Sequence, residues 1–229
     1  GIHGSREEYP LLNLKLLGIR TFRISALGSF LTRLGIGGVP FLLPLLYQVG
    51  LRYTPVESGL LIMPQAVASM SMKLIMTRLL NRIGYRAVLI SNTIVIGGLL
   101  VLFATIGLRT PLWDILLLAF CYGGFTSLQY TSMNTLVYAD IPDEEASNAS
   151  TIASTMQQMS ISFGVAIAGL ATAVFLPASA RSNSPDFMRG IHEAFLVLGA
   201  FTALSSLIFS RLRSTDGESV SQHKVLHTA

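Results

Sequence analysis

The chain has 229 residues, 51% of them hydrophobic and only 12% charged, with a formal net charge of +4. Soluble domains carry about twice that fraction of charge, which excludes an ordinary water-soluble fold. The basic excess lies at the ends of apolar runs, where it anchors membrane spans and is not arranged to bind nucleic acid. One cysteine, Cys121, allows neither an intrachain disulfide nor a thiolate metal site. No His, Cys, Asp or Glu cluster has metal-ligand spacing, so neither metal nor cofactor is expected.

Residues 1–20 carry Glu7, Glu8, Lys15 and Arg20 among short apolar groups, with no long apolar core and no cleavage site. They read as a cytoplasmic linker, in which 11–17 could lie in the membrane interface. Crossing the hydrocarbon layer takes about twenty apolar residues. Six runs meet that need: 24–49, 58–79, 87–108, 112–137, 150–176 and 191–209. The expected fold class is all-α, an integral membrane helical bundle of six spans over 21–212, and the polar tail 213–229 is expected to be disordered.

The first span holds Arg33, ten residues past Arg23 and so about 15 Å deep in a core of about 30 Å. A cation there faces a wet cavity or a bundle interior, where it binds substrate, a carboxylate on another helix or backbone carbonyls. The same span carries Gly35, Gly37, Gly38, Pro40 and Pro44, an array that removes backbone hydrogen bonds and predicts a kink at the two prolines. Lys73 in the second span lies close enough to Arg78 to reach the interface by snorkelling, so a cavity role and an anchoring role are equally open.

Between the second and third spans, Arg78, Arg82 and Arg86 cluster around Gly84, and the positive-inside rule makes this loop cytoplasmic. With the amino terminus inside, ten Lys and Arg residues fall on the cytoplasmic side: Arg6, Lys15, Arg20, Arg23, Arg78, Arg82, Arg86, Arg211, Arg213 and Lys224. Four fall outside, Arg52, Arg109, Arg181 and Arg189, so both termini are predicted to be cytoplasmic. In the loop before the fifth span, Pro142, Asp143, Glu144 and Glu145 mark a helix start.

The fourth span has Tyr122, Gln129, Tyr130, Thr131, Ser132 and Asn134. The fifth has one stripe of Thr151, Thr155, Gln158 and Ser162 beside another of Ser147, Ser150, Ser154 and Gln157. Such stripes meet water or another helix, and interhelical bonding is the plainer explanation. Gly164, Ala168, Ala171 and Gly169 offer small faces for close packing. Spans three and six carry mainly small and apolar residues. Spans one, two, four and five are therefore expected to line a polar path, with three and six packed outside it.

Six spans, both ends inside and a basic loop after span two resemble one half of a major facilitator superfamily transporter, which consists of two inverted three-helix repeats. The likeness is sharpest at 33–41, Met72-Lys73, 81–86, 132–136 and 156–169, which resemble the carboxy-terminal half of the EmrB/QacA-type drug:proton antiporters and, among them, the MdtD-like members. The resemblance implies proton-coupled efflux of small molecules of multidrug type across a bacterial inner membrane by alternating access. It makes Asn81, Arg82, Gly84 and Arg86 a copy of the gating loop, with Asn81 where an acid is usual and Thr77 where a glycine is usual.

Arg33, Gln129, Asn134, Gln157, Gln158 and Lys73 are the residues expected to face substrate. Glu57, Asp114 and Glu193 lie near span ends, so no carboxylate stands at mid-membrane, and proton coupling is expected to need a second six- or eight-span half, as a separate chain or a second copy. The expected partners are therefore the lipid bilayer, a small-molecule substrate and that half, with no nucleic acid. Two alternatives stand beside multidrug efflux: an organic-anion or metabolite exporter using the cationic residues, and a non-transporting, truncated membrane subunit that needs a partner half. Paired carboxylates, a nucleophile elbow and a phosphate loop are all missing from the sequence, and no enzymatic activity is expected.

Overall fold

The computed structural model describes Leu16, residues 18–175, residues 185–213 and Asp216. Most of the expected linker and tail, including nearly all of 11–17, lies outside the described residues. All regular structure among them is helical. The first span is α1 (Arg20–Gly37), α2 (Val39–Pro44) and a π-helical stretch, Leu45–Gly50. α3 (Pro55–Ile83) and α4 (Tyr85–Phe103) follow, then α5 (Leu112–Leu136), a 3-10 turn (Asp143–Glu145), α6 (Ala146–Phe175) and α7 (Pro185–Phe209). Six stretches are long and apolar enough to cross a membrane.

The first span is not one helix. Gly38 closes α1, and the N–H groups of Phe41 and Leu42 both turn back to its carbonyl at 3.1 Å. Pro40 is tolerated there because the opening turn of a helix needs no such donor. Pro44 lacks an N–H inside α2, and past it the backbone widens to π geometry, Leu51 N–H reaching Leu46 O at 2.8 Å.

α3 starts on a capping box, with Thr54 N–H donated to Glu57 Oε2 at 2.8 Å and Glu57 N–H to Thr54 Oγ1 at 3.3 Å, and Pro55 in its first turn. Its 29 residues extend about 43 Å, more than the hydrocarbon thickness. The expected arginine loop is thereby corrected: Arg78, Asn81 and Arg82 lie on α3, Arg86 on α4, and the turn is Gly84 alone, at φ 82°. Only glycine adopts that conformation without strain. α4 ends earlier than expected, because after Phe103 the chain folds into turns closed by Gly107 N–H donated to Thr110 Oγ1 at 2.9 Å.

The packing has an internal symmetry. α1 lies on α6 and α7, as α5 lies on α3 and α4, and α4 lies on α7. Exchanging the first three spans for the last three maps α1–α6 onto α5–α3 and α1–α7 onto α5–α4 and returns α4–α7 to itself, as two inverted repeats require. One pair departs from the symmetry: α6 packs along α7, whereas α3 barely touches α4 beyond their turn. Glycines set the close crossings. A Cβ on Gly164 would stand 2.5 Å from Leu34 O, and one on Gly97 3.1 Å from Gly199 O. Gly169, by contrast, faces open space. Two main apolar clusters fill the interior, one around Leu42, Phe103 and Phe195 and the other around Leu89, Met133 and Phe209.

Spans three and six are less purely apolar inside than expected. Asn92 of α4 donates to Gln129 Oε1 and to Phe125 O, both at 2.8 Å, and Ser205 of α7 accepts a bond from Thr32 Oγ1 at 2.8 Å. At the end that carries the arginines, Arg20 pairs with Asp216 at 3.2 Å and donates to Arg211 O at 2.7 Å, tying the start of α1 to the chain beyond α7.

Candidate functional site

α1, α5 and α6 converge on a cavity of about 220 Å³. α1 contributes Ser29, Phe30 and Arg33, α5 contributes Asn134, with Val137 and Tyr138 just beyond it, and α6 contributes Ala153, Ser154, Met156 and Gln157. Arg33 is 3% exposed and is the only charged side chain in that lining.

Its guanidinium is held by α5 in two ways. Nη2 donates to Asn134 Oδ1 at 2.7 Å, and Cζ lies 4.4 Å from the centre of the Tyr130 ring. Tyr130 and Asn134 are four residues apart, so one helical face presents both. A hydrogen bond from a charged donor contributes about 1.5–3 kcal/mol, and a desolvated cation over an aromatic face up to about 2 kcal/mol. These offset the cost of burying the charge without a carboxylate. Only one of the five guanidinium donors is used among the described residues. Ser29 Oγ, which also lines the cavity, has no hydrogen-bond partner. The site therefore offers spare cationic donors and a hydroxyl to an electron-rich guest. Tyr130 also lines a second cavity of about 370 Å³, together with Pro40, Gln65, Tyr122 and Thr126.

The residues expected to face substrate divide three ways. Arg33, Asn134 and Gln157 meet at the first cavity. Gln158 and Lys73 are exposed on the open faces of α6 and α3. Gln129 is not brought to the cavity: it is fully buried against Asn92, on another face of α5. Of the two α6 stripes only Gln157 is half-buried; Ser154 reaches the cavity rim but is exposed, like Ser147, Ser150, Thr151, Thr155, Gln158 and Ser162. Thr151 and Thr155 donate back to the carbonyls of Ser147 and Thr151.

Of the loop residues, Arg82 and Arg86 are exposed, Arg86 Nη2 donating to Ser210 O at 3.3 Å, Asn81 is half-buried and Gly84 is buried. Pro40 and Pro44 flank the break and the π stretch, and both line the second cavity. Tyr130 and Ser154 were read as members of polar stripes but not among the residues expected to face substrate, and Ser29 was not singled out. For Tyr130 a signal existed, its four-residue spacing to Asn134.

Comparison with known proteins agrees with this architecture. The chain is 35% identical over 211 residues to a protein of Pectobacterium carotovorum subsp. carotovorum (strain PC1), covering 92% of this chain and 45% of the relative. It is 34% identical over 210 residues to one of Cronobacter sakazakii (strain ATCC BAA-894), covering 92% and 45%. It is 33% identical over 219 residues to one of Escherichia coli O6:K15:H31 (strain 536 / UPEC), covering 96% and 46%. All three relatives carry the name multidrug resistance protein MdtD. The chain thus spans about half the length of the curated relatives it matches. Residues 25–226 match the family described as Major Facilitator Superfamily, and with six spans packed as two inverted triplets the chain belongs to that family.

Proposed function

We propose that the chain forms one wall of a membrane transporter that exports small molecules of multidrug type by alternating access, coupled to protons through acids supplied by a second half. The observation that carries this reading is the buried Arg33, held by Asn134 and Tyr130 beside a cavity with unused donors. The exposed stripe of Thr151, Thr155, Gln158 and Ser162 supports the second half, because polar groups at membrane depth face protein or water in preference to lipid. In this reading α3 and α6 face the opposite half, and Lys73 and Gln158 enter the translocation path from there. Rocking hinges on the Gly38 break and the π stretch, with Asn81, Arg82, Gly84 and Arg86 as the inner gate. The protein resides in a bacterial inner membrane with both ends of the bundle cytoplasmic.

A second reading concerns cargo. Arg33 is the only charge lining the cavity, which favours an organic anion over a lipophilic cation. Transport into proteoliposomes carrying the chain with its partner half tests both readings. Arg33→Ala is expected to lower transport at least about tenfold, the loss of one charge-assisted bond. An effect on a dicarboxylate but not on a cationic dye favours the anion reading; unchanged transport of both removes Arg33 from the path.

A further inference from the structure

We propose that the end of the bundle remote from the α3–α4 arginines carries a specific site for the phosphodiester headgroup of an anionic phospholipid, built by Arg52, Arg109 and Arg189. The three side chains come from separate segments: the residues after the π stretch, the turns after α4 and the start of α7. All three line one cavity of about 730 Å³. They are three of the four basic residues that the charge tally assigns to this end, so the scarce cations of this face are gathered in one place. Among the described residues none of the three forms an ion pair. Glu193 lines the same cavity and offsets one charge, which leaves an excess of two guanidiniums.

The backbone is organised around this gathering. Arg52 is the only described non-glycine residue with positive φ, at 63°, a conformation costing about 1–2 kcal/mol. It is held there by Leu51 N–H donated to Leu46 O at 2.8 Å and Tyr53 N–H to Tyr47 O at 2.9 Å. His192 Nε2 lies 2.7 Å from Ile106 O, fixing the start of α7 against the turns that carry Arg109. The remaining wall is apolar, and Leu108 and Leu196 are 73% and 38% exposed. A free phosphate would satisfy the arginines and leave these leucines uncovered. A phospholipid satisfies both, its phosphate accepting from the guanidiniums and its chains covering the leucines.

Native mass spectrometry of the full chain in detergent tests the site, with phosphatidylglycerol, phosphatidylcholine of the same chains, and inorganic phosphate as probes. One phosphatidylglycerol is expected to bind in preference to phosphatidylcholine and to weaken about fivefold for each arginine neutralised in Arg109→Gln and Arg189→Gln. Arg109→Lys, which keeps the charge, is expected to retain most of the binding, and Arg78→Gln with Arg82→Gln at the opposite end is expected to leave this adduct in place. Equal occupancy by the two lipids, or full binding by the double Arg109→Gln, Arg189→Gln variant with helical content intact, overturns the proposal. Displacement by inorganic phosphate at the concentration that binds phosphatidylglycerol also overturns it, making the site one for a free anion.

Discussion

At the scale of single residues the chemistry rests on how Arg33 is held. Asn134 supplies an oxygen and Tyr130 a ring face, and neither adds a counter-charge, so the guanidinium stays free to take one from a guest. Asn134→Ala is expected to lower stability by about 1–3 kcal/mol, because it strands a buried donor. Thermal unfolding in detergent reads that loss, and Asn134→Asp, which restores an acceptor, is expected to recover it. Arg33→Lys keeps charge but loses the planar stack on Tyr130, so it is expected to fall between Arg33 and Ala in transport. The depth of Arg33 was legible from its distance to Arg23. Gln129 was expected beside Asn134, although five residues turn a helix by about 140° past a full circle and set the two apart. Its partner Asn92 was not legible, because nothing local says which polar residue of α4 meets α5.

At the scale of elements, helix crossings and breaks shape the bundle. Gly164 meets the backbone of α1 at Leu34 and Gly37, whereas Gly169 on the same helix faces open space. Gly164→Ala is expected to push α1 from α6 and cost about 1–3 kcal/mol. Gly169→Ala is expected to be neutral or to stabilise by up to about 1 kcal/mol through helix propensity. Comparing the two melting temperatures checks both, and equal shifts would mean that the crossing is loose. Gly84→Ala, at a positive φ, is expected to cost about 1–2 kcal/mol in the same measurement. Small residues at 164, 168 and 171 could be read from spacing. Gly169 stands five residues past Gly164, about 140° away round the helix, so the same spacing sets it off that face.

At the scale of the molecule, hydropathy made the six-span bundle legible, because lipid demands long apolar helices whatever their packing. Helix ends were less legible: α3 runs on through its arginines, since a helix need not stop where the apolar run does. The two inverted triplets, implied at the level of sequence by the family resemblance alone, show in which helices touch. In the proposed orientation, cysteines introduced at Arg82 and at Asn148 label from the cytoplasmic side and one at Thr110 from the outside. Labelling of Arg82 and Thr110 from the same side would break the even alternation of spans and with it the transport path.

The clasp between Arg20 and Asp216 places the entrance and exit of the bundle side by side, so the stretch from Arg20 to Asp216 closes almost into a loop. A unit wired this way can be joined in tandem to another of its kind by a tether that stays in water and never threads the bilayer. The bundle is also expected to tolerate being opened elsewhere, for instance in the turns between Ala104 and Thr110, once Arg20 and Asp216 are bridged by a short linker.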